Sequence, residues 1–301
     1  MKDLKFGVEI EMKDITRDKA SKIIAKYFGT RTQYLGQGYD THGAFDKKSR
    51  MWKCMSDASV HDGNGGCEVV TPILEYDDIN DLQELIRKFR EAGGRIDGEC
   101  GIHVHVGISR MSSKRIIILS NIIYKYEDII WKALKIKRRR RTYCKKINEN
   151  FIKKLNEEKP LNKSSLENIW YGTQYSEHGR HEHYNKTRYH GYNLHALFTK
   201  GTVEFRMFNS TLHAGRVKAY VQFCLALVAK AKSLPLSTYE VSSTKLNMEE
   251  IDCYETFSKF LTDTLNLTGD EFKTCRHHML FNLKPEENEV INNEVTISEN
   301  N

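Results

Sequence analysis

Apolar and polar positions alternate strictly in three separate stretches of the chain. In residues 4–12, Phe6, Val8, Ile10 and Met12 point one way and Gly7, Glu9 and Glu11 the other. Residues 101–108 repeat the pattern, with Ile102, Val104, Val106 and Ile108 opposite His103, His105 and Gly107. Residues 202–208 set Val203, Phe205 and Met207 against Thr202, Glu204, Arg206 and Phe208. Each stretch predicts a strand with one buried face. Residues 31–71 predict further strands joined by turns at the glycine and aspartate clusters 36–40 and 62–66, with Glu68 in a strand over 67–71.

Between these stretches the apolar period lengthens to that of a helix. Thr16 caps a helix carrying Ile23, Ile24, Tyr27 and Phe28 and stopped by Gly29. Asp77 or Asp78 opens another, with Ile79, Leu82, Leu85, Ile86 and Phe89 on one face, closed by Gly93-Gly94. A long helix starts at Ser112 or Ser113, and another covers residues 215–232. Residues 132–146, a basic run, are expected to continue the long helix, and the polar stretch 147–190 to be an insertion or mobile region. These patterns predict an α+β, two-layer catalytic domain over residues 1–235 with a basic and polar insertion at about 132–190. A linker, a small helical appendage (236–284) and a disordered acidic tail (285–301) follow. No GxxxxGK[ST] or glycine-rich βαβ turn is present, which excludes a doubly wound nucleotide fold.

Composition adds three constraints. The 301 residues are 39% hydrophobic and 29% charged, ordinary for a globular chain and too charged for a polytopic membrane protein. No apolar run reaches the length of a membrane span and no leader is visible, so no membrane association is expected. The formal charge of +7 is local: the run 132–146 holds nine basic residues and no acid, leaving the remainder at −2. Such a run is more often a solvated segment than a binding site. Seven cysteines, with no CxxC pair, predict free thiols and a cytoplasmic address. Cys100, just before the histidine strand, reads as buried filler rather than a nucleophile.

The candidate chemistry lies on the polar strand faces. Side chains at i and i+2 share a face about 6.5–7 Å apart, and neighbouring strands lie about 4.8 Å away. Adjacent strands would therefore gather Glu9, Glu11, Glu68, His103, His105, Glu204 and Arg206. Any single E-x-E or H-x-H is usually a solvated sheet face. Three strands bearing carboxylate, imidazole and guanidinium, instead of Thr, Lys and Ser, favour a site. Crowded carboxylates raise one another's pKa unless cations intervene, and Mg²⁺ or Mn²⁺ suits such oxygens. Arg206 beside them points to an anion that bridges the cations, with phosphate the natural candidate.

Six blocks in order carry a resemblance: Phe6-Gly7-Val8-Glu9-Ile10-Glu11; Asp57-Ala58-Ser59; Glu68-Val69-Val70-Thr71-Pro72; Gly101-Ile102-His103-Val104-His105-Val106-Gly107; Arg188-Tyr189 with Asn193-Leu194-His195; and Gly201-Thr202-Val203-Glu204-Phe205-Arg206. Over about residues 4–232 the chain resembles the amidoligase family, relatives of glutamate–cysteine ligase and glutamine synthetase. The resemblance implies a curved, mainly antiparallel sheet backed by helices and an ATP-dependent carboxylate–amine ligase working through an acyl phosphate. It implies metal ligation by Glu9, Glu11, Glu68 and Glu204, with His103 at the metal–phosphate edge and His105 near the nucleotide. Arg206 would lie on the transferring phosphoryl group, Arg188 and Asn193 would face phosphate or substrate, and Asp57 would orient or deprotonate the amine. ATP and Mg²⁺ or Mn²⁺ are the implied cofactors. Ala58 replaces the glycine of the family's usual Asp-Gly-Ser turn.

Two other functions fit parts of the pattern. A zinc metallohydrolase would use His103 and His105 with Glu9 and Glu11, leaving Arg206 and the surplus carboxylates without a role. A nucleic-acid-binding protein would use residues 132–146 and ignore Glu204. His178, His181 and His183 are spaced for zinc, but their flanking charges read as a solvated loop. The substrates are a small-molecule or peptide carboxylate and amine; the basic run hints at an acidic peptide.

Overall fold

The computed structural model describes residues 1–36, 38–57, 60, 65–136, 142–173, 175–235 and 244–284. Ala58 and Ser59, Gly63, residues 137–141 of the basic run, most of the linker (236–243) and the acidic tail lie outside the described residues.

Eight strands form one antiparallel sheet. They are β1 (Phe6–Lys13), β2 (Thr32–Gly36), β3 (Thr41–Phe45), β4 (Met51–Met55), β5 (Gly66–Val70), β6 (Gly101–Gly107), β7 (Tyr192–Asn193) and β8 (Thr202–Asn209), in the spatial order β2-β3-β4-β5-β1-β6-β8-β7. The three alternating stretches are thus β1, β6 and β8, adjacent at the centre. Their apolar faces, including Val8, Ile10, Ile102, Val104, Val203 and Phe205, are fully buried. They pack on a helical layer built from α1 (Arg17–Phe28), α2 (Ile79–Glu91), α3 (Ser113–Leu134) and α8 (Ala214–Ser233).

Local signals set the helix ends. Thr16 accepts a hydrogen bond from the Lys19 amide at 3.2 Å, and Gly29 ends α1 with φ +68°. Asp78 caps α2 differently from expectation: its carboxylate accepts from the Glu75 amide across a preceding 3₁₀ turn.

Three expectations change. First, the basic run does not continue α3, because Lys135 turns left-handed (φ +45°) one residue after Leu134. Second, the stretch 147–190, expected as an insertion or mobile region without assigned elements, carries helices. These are α4 (Glu149–Glu158), α5 (Lys163–Tyr171) and α6 (Glu177–Arg180). The caps are Asn148 and Asn162, so the residues that start the helices also made the stretch look polar. Their apolar residues are few but helically spaced, and Phe151, Ile152, Leu155, Leu166 and Ile169 join the core. Third, Phe208 does not share the face of Glu204 and Arg206. Val104 pairs with Phe205 but Ile102 with Phe208, so β8 has an extra residue there. That bulge reverses the alternation and stacks Phe208 on Tyr220 of α8 at 4.2 Å between ring centres.

Beyond α8, α9 (Cys253–Lys259) and α10 (Lys273–Leu280) pack on its outer side. Phe257 meets Phe223, and the Cys275 thiol donates to the Ala219 carbonyl. Among the described residues, none of the seven cysteines forms a disulfide. Among the described residues, no helix is long and apolar enough to cross a membrane.

Candidate active site

On the sheet face opposite the core, register places the chemistry-bearing residues side by side. Glu11 is paired with Glu68, Glu9 with His103, His105 with Glu204, and Glu204 with Asn193. The polar residues of five neighbouring strands therefore form one continuous cluster, because direct cross-strand partners share a face.

His103 sits at its centre. Its Nδ1 lies 3.0 Å from Glu9 and 3.7 Å from Glu204, and its Nε2 lies 3.7 Å from Glu11. His105 Nε2 is 3.1 Å from Glu9, while its Nδ1 is 3.0 Å from the Thr202 hydroxyl. Arg206 donates to Glu204 Oε1 at 2.5 Å, and the Asn193 amide donates to Glu204 Oε2 at 2.7 Å. Glu11 accepts from the Gly101 amide at 2.6 Å.

Among the described residues, ligand atoms of two trios lie within 4.8 Å of one another: Glu9, His103 and Glu204; and Glu11, Glu68 and His103. The trios share His103, and a neutral imidazole has one acceptor nitrogen. It can serve one cation, leaving the other to carboxylates and water. Oxygen-rich sets of this kind match Mg²⁺ or Mn²⁺ better than a structural zinc site.

The protonation states reflect the crowding. Burial pushes the Glu68 carboxyl well above the ordinary range, and the charges of Glu9, Glu11 and Asp57 push it further. Burial also penalises Glu204, but the Arg206 guanidinium and His105 outweigh it and hold that carboxyl at about 2. Glu9 is likewise held low against its burial, by His105 and His103. Glu68 thus bears most of the mutual repulsion of the carboxylates, which positive charge placed among them would relieve.

Eight predicted residues converge: Glu9, Glu11, Glu68, His103, His105, Asn193, Glu204 and Arg206. Asp57, just past β4, is near enough for its charge to act on Glu68. Arg188 stands farther out. It donates to the His183 carbonyl at 2.8 Å, and its guanidinium lies over Tyr184 and Tyr189. The hydroxyls of Tyr184 and Tyr39 meet at 2.8 Å, joining the α6 segment to the turn between β2 and β3.

A cavity of about 960 Å³ opens beside Glu9 and His105, along the start of β1 and the end of β6. Lys5, Arg110, Arg115, Lys200 and Lys232 line it against two acids, Asp3 and Glu9. Lys200 reaches Glu9 at 3.5 Å from the end of α7 (His195–Lys200). Sequence reading passed over these cations because each is isolated in the chain. The only local signal was Lys200, directly before the Gly201-Thr202 start of β8.

The remaining candidate features stand apart from this cluster. Among the described residues His178, His181 and His183 form no common ligand set, and His181 instead bonds Glu167 at 2.6 Å. Burial pushes the Cys100 thiol up to about 12, which suits filler and not a nucleophile. Gly65, at φ +91°, turns the chain into β5.

No curated protein matches the sequence. A family model described as putative amidoligase enzyme matches residues 2–228, and the chain therefore belongs to the amidoligases, a family of ligase-type enzymes that form C–N bonds.

Proposed function

We propose that the protein is an ATP-dependent carboxylate–amine ligase with a glutamine-synthetase-like catalytic fold, forming an amide or peptide bond through an acyl phosphate. The observation that carries this reading is the pair of ligand trios sharing His103, with Arg206 beside them and a cation-lined cavity at their edge. The chemistry requires such a site. A carboxylate cannot expel hydroxide, so it needs an activated leaving group, and bringing two anions together needs positioned positive charge.

Glu9, Glu204 and His103 would hold one divalent cation, Mg²⁺ or Mn²⁺, and Glu11 and Glu68 would hold the second. When bound, ATP and its cations supply the phosphoryl group that turns the substrate carboxylate into an acyl phosphate, with ADP leaving. Lys5, Arg110, Arg115, Lys200 and Lys232 line the cavity where the polyphosphate is held, and His105 stands at its inner end. Arg206, fixed by Glu204, neutralises charge on the transferring group. The amine nitrogen then bonds to the acyl carbon, phosphate departs with the C–O electrons, and Asp57 takes the ammonium proton. Arg188 faces the substrate side.

Glu9→Gln, Glu204→Gln and Arg206→Ala test this in a screen of acid–amine pairs. Each should lower substrate-dependent ADP formation by at least about 10²-fold while preserving the thermal unfolding transition. Retained turnover in all three folded variants would refute the assignment.

A further inference from the structure

Asn193 is 1% exposed, and both ends of its amide are already engaged inside the protein. The carbonyl oxygen accepts from the His195 backbone N–H at 2.9 Å, and the NH₂ group donates to Glu204 Oε2 at 2.7 Å. The first bond decides the second. With the oxygen committed to the start of α7, the nitrogen is the end that must face Glu204. With one N–H on Glu204, the oxygen on the His195 amide and the side chain 1% exposed, the amide is turned into the protein rather than toward a ligand in the cavity.

Glu204 is thereby divided. Oε2 is tied to Asn193, while Oε1 is turned to Arg206 and to the two histidines, 3.7 Å from His103 and 3.8 Å from His105. A carboxylate free to rotate would expose either oxygen; this one presents a single oxygen to the trio.

The buttress continues outward. The ring Nδ1 of His195 is 2.6 Å from the hydroxyl of Tyr171, at the end of α5, and both side chains are buried. Burial pushes the Tyr171 phenol up and the His195 imidazole down to about 4, so a neutral hydroxyl meets a neutral ring. The first turn of α7, which supplies the amide to Asn193, is pinned to α5 through that bond.

We propose that Asn193 is a positioning residue for Glu204, held in place by the Tyr171–His195 pair, and acts on cation binding without touching substrate or nucleotide. The inference rests on the reading of Glu204 as a cation ligand. Residues in this supporting role typically change metal affinity by about 10–100-fold.

Equilibrium Mn²⁺ binding, without nucleotide or substrate, tests it. Wild-type protein should bind Mn²⁺, Glu204→Gln should lose the ion assigned to Glu9, His103 and Glu204, and Asn193→Ala should weaken that ion's binding about 10-fold. Tyr171→Phe removes one hydroxyl and little volume; it should cause a smaller, measurable loss and decides the matter if Asn193→Ala fails to fold. Unchanged Mn²⁺ affinity in the folded variants, with wild-type binding still sensitive to Glu204→Gln, overturns the positioning role alone. Wild-type binding that is absent or insensitive to Glu204→Gln overturns the cation reading beneath it.

Discussion

Burial alone does not decide how a glutamate titrates in this protein; its neighbours do. Glu68 faces carboxylates and is pushed up, whereas Glu204 faces a guanidinium and is held at about 2. Glu127 on α3 shows the intermediate case away from the site. It is fully buried, and burial lifts it to about 7 even though it accepts from the Ile147 amide and pairs with Lys245. Its folded pKa thus lies above the unfolded value, so its contribution to stability is complete below about pH 4.5 and is lost as pH rises through 7. Glu127→Gln keeps an acceptor for Ile147 and removes the titration. The stability difference, wild type minus variant, should fall between pH 5 and pH 8 by at most about 3 kcal/mol. Parallel pH profiles of the two proteins would show that Glu127 carries no such linkage. At this scale the sequence revealed which face the residues of β1, β6 and β8 take up to the bulge at Phe208, since alternation follows from regular backbone geometry. It concealed the partners that set charge state, such as Lys245, 118 residues from Glu127.

The elements show where local pattern stops being sufficient. β1, β6 and β8 were legible because β1 and β6 alternate without interruption and β8 does so as far as Met207, and their central position followed from their apolar faces. Register was not legible: it arises from long-range pairing, and it alone brings Glu9 opposite His103 and Glu11 opposite Glu68. The β8 bulge broke the alternation rule at Phe208, and its one trace in the sequence is the adjacent apolar pair Met207-Phe208. α4 and α5 were missed because short amphipathic helices with asparagine caps resemble polar loop in composition. One glycine ties these elements to the site. Gly191 precedes β7, and its carbonyl accepts from the Arg206 amide at 2.8 Å. A Cβ there would run into the Trp131 ring of α3, a rigid neighbour that cannot swing aside. Gly191→Ala should therefore cost about 1–3 kcal/mol in chemical denaturation. It should also reduce ligase activity beyond what the stability loss explains, through displacement of β8 at Arg206. An unaltered denaturation midpoint would mean that Trp131 yields without cost.

For the whole molecule, one antiparallel sheet divides the labour: a helical layer supplies stability on one face, and the other face gathers charge that would repel itself without cations. That arrangement makes ligand binding and stability two readings of one property, because whatever binds only the folded state stabilises it. Thermal unfolding with a non-hydrolysable ATP analogue and Mg²⁺ or Mn²⁺ is the most direct measurement. At about 100 times the dissociation constant the linkage is about 2.7 kcal/mol, so for a chain of this size the melting temperature should rise by about 4 °C. The account predicts that the full shift needs nucleotide and cation together and disappears in Glu9→Gln. A shift with Zn²⁺ alone that nucleotide does not alter, or no shift with any combination, would contradict it.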